Sequence, residues 1–250
     1  MKTGATGLSM VMTAVGRVTA GLILTAGWAQ ALMVVEDFEF YANGPLIGNA
    51  GGSGFQNAWG TGNLNVTNGF NLTYSAISYA VTSLGTGVGC ATNTVLSDLS
   101  RRGIAAPIPG TNAGRMVWFS TLVQPTSAAR VGWHFNPTSE NRNTARAGFL
   151  VVGNDFRKLA NGVLVTTGKI LAVNTTHLIL GSVLLKNAGD STISFWLDPA
   201  DVTSTNVLGA PGVTFEASFT NSYGGSIANI GLEAYGDTNG RMDALPDQRR

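Results

Sequence analysis

Asp37-Phe38-Glu39-Phe40-Tyr41-Ala42-Asn43-Gly44-Pro45-Leu46-Ile47-Gly48-Asn49-Ala50-Gly51-Gly52-Ser53-Gly54-Phe55-Gln56-Asn57-Ala58-Trp59-Gly60-Thr61-Gly62 is the stretch whose reading decides the fold. Its opening belongs to a first strand, Val34 to Tyr41, in which Asp37 and Glu39 share one face and Phe38 and Phe40 the other. The glycines from Gly44 to Gly62 then make a long irregular connection, and Trp59 within it is expected to be a packing plug rather than a sugar platform.

Working outward, the same texture continues. Leu64 to Val66, Phe70 to Tyr74 and Ile77 to Leu84 are strand candidates broken by Asn and Gly. Residues 97–114, with Arg101-Arg102, Pro107, Pro109 and Gly110, carry the punctuation of a surface loop. Met116 to Val123 is apolar on both faces, as a central strand is. Val131, Trp133 and Phe135 alternate with Gly132, His134 and Asn136, which predicts a half-buried strand with a polar side. Ala145 to Gly153 is a further strand, and His177 to Lys186 with Ser191 to Asp198 form a hairpin around Asn187-Ala188-Gly189-Asp190. Val213 to Phe219, Ile227 to Tyr235 and Arg241 to Leu245 complete the set. About a dozen short strands without helical periods predict an all-β, two-sheet antiparallel sandwich. No repeat and no linker divides residues 32–250, so they are expected to form a single domain.

Composition narrows the function classes. With 15 Lys and Arg against 14 Asp and Glu, a net charge of +1 gives no electrostatic footprint for nucleic acid. Lys2 and Arg17 precede the apolar run Val18 to Trp28, which ends in Ala29-Gln30-Ala31, the layout of a signal peptide over residues 1–31. That run is far shorter than the roughly 20 residues a spanning helix needs, and no later segment is apolar enough to cross a membrane. The expected destination is therefore secreted, periplasmic or cell-surface. Cys90 is the only cysteine, so no internal disulfide can form and stability rests on core burial.

The opening stretch resembles the entry of concanavalin A-like, laminin-G-like jelly-roll domains of secreted bacterial proteins. Two later segments are similar to that family as well. Leu178-Ile179-Leu180-Gly181-Ser182-Val183 with Asp190-Ser191-Thr192-Ile193-Ser194-Phe195-Trp196-Leu197-Asp198-Pro199 resembles its paired strands ending in a Trp-x-Asn/Asp-Pro corner. Ile230-Gly231-Leu232 through Tyr235-Gly236, with Gly240 to Leu245, resembles its closing strands. The resemblance implies a jelly roll and a carbohydrate-related role. The chain departs from the family at Pro246-Asp247-Gln248-Arg249-Arg250, where a strand would continue; proline breaks the ladder there, so the last strand is expected to be cut short.

Catalytic patterns are thin. The Glu-x-Asp-x-x-Glu motif of the family's glucanases is absent, and Asp37 and Glu39 share a face at about 6.5 to 7 Å by strand rise. That exceeds the ~5.5 Å of a retaining carboxylate pair. No Gly-x-Ser-x-Gly elbow is present. His134, near Asn136, Glu140 and Arg142, is the candidate base, set against a hydrogen-bonded surface histidine; His177 is expected to be structural. The two histidines and the single cysteine do not make a zinc pattern. Calcium is the cofactor this fold can take through Asp and Asn side chains and carbonyls; without an Asp-x-Asp-x-Asp-Gly loop, no ligands are assigned.

Glycan binding needs an aromatic plane beside hydrogen-bonding groups. Trp196 points opposite Ile193, Phe195 and Leu197 with Asp198 beside it, and His134 and Asn136 point opposite Val131, Trp133 and Phe135. The expected ligand residues are Trp196, Asp198, His134, Asn136 and Arg142, brought together on a concave sheet face to meet a polysaccharide or glycoconjugate. Against this stands a Trp196 that merely covers a neighbouring loop. The rival functions are a secreted hydrolase of a glycan, ester or lactone, and a structural envelope protein.

Overall fold

Runs of β-branched and aromatic residues cut by glycine, asparagine and proline fold, among the described residues, into strands without helices. The computed structural model describes residues 22–25, 33–34, 38, 41–51, 54–60, 64–68, 72, 89–93, 98–109, 114–136, 145–186, 190–202, 208–219, 226–235 and 241–245. In chain order the strands are β1 (Leu22–Thr25), β2 (Met33–Val34), β3 (Gly44–Pro45), β4 (Leu64–Asn68), β5 (Gly89–Asn93), β6 (Asp98–Ile108), β7 (Met116–Gln124) and β8 (Arg130–Phe135). They continue as β9 (Ala147–Val152), β10 (Asp155–Ala160), β11 (Val163–Ile170), β12 (His177–Leu184), β13 (Ser191–Leu197), β14 (Val213–Ala217), β15 (Ile227–Tyr235) and β16 (Arg241–Leu245).

All pairings are antiparallel, and they make two sheets. One runs β14-β13-β12-β7-β16-β5-β4-β3, with β1 and β2 attached to β7; the other runs β11-β10-β9-β8-β15-β6. The architecture is the all-β jelly-roll sandwich expected from the sequence. Strand β7 is the axis of the first sheet. One of its sides carries β12 along Met116 to Val123. Its other side is divided: β16 pairs from Gln124 to Ser120, and β1 continues with Leu22 opposite Phe119 and Thr25 opposite Met116. Leu22–Thr25 lies inside the stretch read as a leader, and it enters the register immediately after Leu245, where Pro246 has no amide hydrogen for the ladder.

Inward-facing rings from both sheets interlock. Phe195 on β13 sits at the centre, with ring centroids 5.7 Å from Phe119, 5.5 Å from Phe149, 5.4 Å from Phe156 and 5.9 Å from Phe215. Phe119 also meets Phe135 at 5.0 Å, so β7 and β8, in opposite sheets, are fastened through aromatic edges. Glycine at 181 makes room for this: a Cβ there would fall 2.1 Å from the Phe119 ring.

Three expectations change. Residues 97–114 are not a surface loop, because Asp98–Ile108 is an 11-residue strand on the border of the six-stranded sheet. Its outer side is covered by the glycine-rich stretch: Gln56 donates its amide to Gly103 O at 2.9 Å, Ala105 to Gly54 O at 2.9 Å and Gly60 to Arg101 O at 3.0 Å. Proline at 107 is tolerated because the strand lies on a border. Arg102 turns inward, nearly fully buried, with its guanidinium 4.1 Å from the Phe55 ring centroid. It donates to Asn57 O at 2.5 Å and Gly51 O at 2.6 Å, so one side chain ties the irregular stretch to the sheet.

Second, the hairpin β10–β11 was not anticipated, although Asn161-Gly162, with φ of +50° and +80°, is its type I′-compatible turn. Third, Phe38 has φ of +55° and is not in regular strand; its ring is buried against Trp59 at 6.3 Å. Trp59 is thus the packing plug expected. Asp37, Glu39 and Arg142 lie outside the described residues, as do the strand candidate Ile77 to Leu84 and, except for Leu72, Phe70 to Tyr74.

Phe195→Ala is expected to lower the unfolding free energy by about 3–5 kcal/mol, and Arg102→Leu by about 1.5–3 kcal/mol through lost charged hydrogen bonds. The exposed Val163→Ala should stay within about 0.5 kcal/mol. Urea unfolding of the three variants checks this ranking; an Arg102→Leu midpoint equal to wild type would remove the clamp assignment.

Candidate functional site

Because Phe195 and Ile193 are committed to the core, alternation turns Thr192, Ser194 and Trp196 onto the outer face of the ten-stranded sheet. The same rule turns Trp118 outward between the buried Val117 and Phe119. Cross-strand register then aligns Trp118, Ser182, Ser194 and Thr214 in one row, and Leu184, Thr192 and Glu216 in the next. Trp118 and Trp196 approach diagonally over β12, with ring centroids 5.4 Å apart and planes tilted by 34°.

This face is partly covered by the chain itself. Leu208 packs on Trp118 and Leu180, with Met116, Trp196 and Val202 around them, and the Trp196 indole N–H donates to Gly209 O at 3.1 Å. Trp196 remains only half-buried, and beside it lie the half-buried Ser194 and the exposed Thr214, whose hydroxyls are 3.3 Å apart. The patch ends in an ion pair between Lys186 Nζ and Glu216 Oε1 at 2.7 Å. The outer face of β13 and β14 thus carries an indole, a row of hydroxyls and one neutralised charge pair.

Asp198, predicted beside Trp196 as a ligand residue, is engaged in holding the fold. Its Oδ2 lies 2.5 Å from His177 Nδ1 and its Oδ1 accepts the Leu178 amide at 2.9 Å. The backbone at Asp198 has φ of +48°, a left-handed turn into Pro199. The second ring nitrogen of His177, Nε2, lies 2.9 Å from Ala172 O, so both nitrogens face acceptors. Burial opposes the charged form, but the Asp198 hydrogen bond, the Ala172 carbonyl and the Asp198 charge together raise the His177 pKa above its ordinary 6.5.

His134 and Asn136 do not join Trp196. They belong to the six-stranded sheet, and both are fully buried, so the polar side expected of their strand is closed. His134 Nε2 is 3.0 Å from Glu233 Oε2 on β15, a partner 99 residues away in sequence. Its Nδ1 is buried without a hydrogen-bond partner among the described residues. Gly148, opposite His134, has φ of +156°, and a Cβ there would lie 2.2 Å from Trp133 O and 3.1 Å from Nδ1. Asn136 ends β8 with φ of +52°, donating to Ser226 O at 2.5 Å and accepting the Ala228 and Asn229 amides at 2.7 and 3.2 Å. It is a structural cap, a role that long-range strand order creates.

Among the described residues no group of three or more His, Cys, Asp or Glu converges to hold a metal, and no helix is long and apolar enough to cross a membrane. Neither a family model nor a curated protein matches the chain. Among solved structures, the chain is similar to a protein of unknown function, SO2946, from Shewanella oneidensis MR-1, at 12% identity and TM-score 0.47, covering 99% of both chains. It is also similar to the endo-beta-1,4-glucuronan lyase of Trichoderma reesei, at 10% identity and TM-score 0.42, covering 83% of this chain and 93% of that one. The Caenorhabditis elegans galectin LEC-6 matches at 12% identity and TM-score 0.34, covering 62% of this chain and 91% of the galectin.

The His177 geometry sets a pH dependence. The folded pKa lies above the unfolded value, so the stabilisation is complete below about pH 6.5 and is lost as pH rises through the folded value. Chemical unfolding across pH 5.5 to 9 is expected to show falling stability over the upper part of that range, and His177→Gln is expected to flatten it. A wild-type profile without that fall would show the pair to be energetically silent.

Proposed function

We propose that this protein is an exported carbohydrate-binding module that meets a polysaccharide or glycoconjugate on the outer face of β13 and β14. The observation that carries this reading is the braced, half-exposed Trp196 beside Ser194, Thr214, Glu216 and Lys186 on a single sheet face. An indole offers a flat apolar surface to the C–H face of a sugar ring, and the neighbouring hydroxyls and ion pair offer donors and acceptors to its equatorial hydroxyls. Trp118 holds the indole in place, which reduces the ordering cost of binding. Residues 1–31 as a signal peptide would bring the module to glycans outside the cytoplasm, and their removal would take β1 from the sheet and leave Met116 to Phe119 of β7 without that partner.

A glycan array probed with the protein, with and without calcium, tests the reading. Trp196→Ala is expected to weaken the best ligand at least tenfold, about 1.4 kcal/mol, and Thr214→Val to weaken it less. Unchanged binding in Trp196→Ala would end the assignment.

A second reading, hydrolysis of a glycan, ester or lactone, draws on His134. Nε2 faces the Glu233 carboxylate and Nδ1 meets no hydrogen-bond partner among the described residues, the arrangement of a base oriented by a carboxylate, in a ring that is fully buried and would reach a substrate only if the structure over it opened. Turnover of chromogenic esters, lactones or glycosides that disappears in His134→Gln and falls in Glu233→Gln would favour it over binding alone.

A further inference from the structure

Resting on the reading of residues 1–31 as a cleaved signal peptide, we propose a strand exchange: once they are removed, Met33–Val34 moves one position inward and takes the place of Leu22–Thr25 on β7.

The pairing around β1 carries this. Strand β1 stands between two others, with Leu22 opposite both Val34 of β2 and Phe119 of β7, and Ile23 opposite both Met33 and Trp118. Among the described residues β2 has no other partner, and β1 is the neighbour of Met116 to Phe119 on that side of β7. The Ala29-Gln30-Ala31 site lies in the chain between β1 and β2, so a cut after Ala31 severs the two strands. Strand β1 leaves with the leader, and β2 stays with the body. One cut thus leaves two unpaired backbone edges separated by the width of the missing strand, about 9.6 Å, or two strand spacings.

The remaining chain supplies one segment suited to the gap. Strand β16 cannot extend into it, because it ends at Leu245 opposite Ser120 and Pro246 has no amide hydrogen. Leu32-Met33-Val34-Val35 is apolar and half β-branched, a composition that suits a strand and matches the displaced Leu-Ile-Leu-Thr. Phe38, four residues beyond Val34, is buried against Trp59 with ring centroids 6.3 Å apart, so the segment is tethered beside the gap. A tethered strand meets the open edge at a far higher effective concentration than a strand from another molecule does.

Direction follows from the same pairings. Strand β1 is antiparallel to both neighbours, so β2 runs parallel to β7, and a lateral step sets Met33 opposite Trp118 and Val34 opposite Phe119. The new pair is parallel, slightly weaker per residue than the ladder it replaces but stronger than an unpaired edge. Trp118 lies in the exchanged stretch and braces Trp196 at 5.4 Å, so the exchange keeps paired backbone beneath the proposed platform in the exported form.

NMR of the full chain before and after cutting by leader peptidase tests the exchange. In the cut protein, freed of residues 1–31, backbone NOEs are expected to link Met33 and Val34 with Trp118 and Phe119; they should be missing from the uncut chain, where those strands are two spacings apart. The amides of Met116 to Phe119 that face β1 should exchange within about threefold of their uncut rate. Met33→Pro with Val34→Pro, which removes both amides, should speed that exchange at least about tenfold in the cut protein and leave it within about threefold in the uncut chain, where β1 still covers β7. Missing NOEs with unprotected amides, a leader fragment that stays bound after the cut, or protection that depends on protein concentration, the sign of a second copy in the gap, would each overturn the exchange. Failure of leader peptidase to cut after Ala31 would refute the export reading alone, and the exchange is then read on the same chain cut at a sequence-specific protease site placed in residues 26–31.

Discussion

The ring of phenylalanines around Phe195 is the constraint from which the rest of the molecule follows. Phe119, Phe149, Phe156 and Phe215 close on it from both sheets, so the inner positions of β7, β9, β10, β13 and β14 cannot slip by one residue without expelling a ring from the core. The outer positions inherit that fixity. Trp118, Ser194, Trp196 and Thr214 are where they are because their neighbours are fixed, and a surface built this way is rigid before any ligand arrives.

Where a segment stated its own environment, the sequence could be read. Met116 to Val123, apolar on both faces, became the strand paired on both sides, and Arg241 to Leu245 was bounded to the residue by Gly240 and Pro246. Ser191 to Leu197 declared its inner and outer faces by alternation alone. Failures came where chemistry was settled by distant partners. Arg101-Arg102, Pro107 and Pro109 read as solvated punctuation, yet carbonyls of the glycine-rich stretch and the Phe55 ring give Arg102 a home in the interior. The β10–β11 hairpin carries a plain local sign in Asn161-Gly162 between apolar runs.

The candidate surface was legible only in part. That Trp196 faces outward followed from period two, but the row of hydroxyls and the Lys186–Glu216 pair depend on cross-strand register, which one strand cannot reveal. Nor could sequence spacing show that Glu233 would reach His134, or that Asn136 would cap its own strand. A polar residue on an alternating strand signals a side that is not core-facing; whether that side is wet is decided by whatever lies across it. Asp198 shows the same limit from the other direction, since its place next to Trp196 suggested recognition while its two oxygens are taken by His177 and Leu178.

The borders of the six-stranded sheet are unequal. At β6 the glycine-rich stretch occupies the free backbone groups, whereas β11, with Val163 and Ile170 about 60% exposed, has among the described residues no partner beyond β10. Among the described residues this sheet is therefore open to an added strand at β11 and occupied along β6.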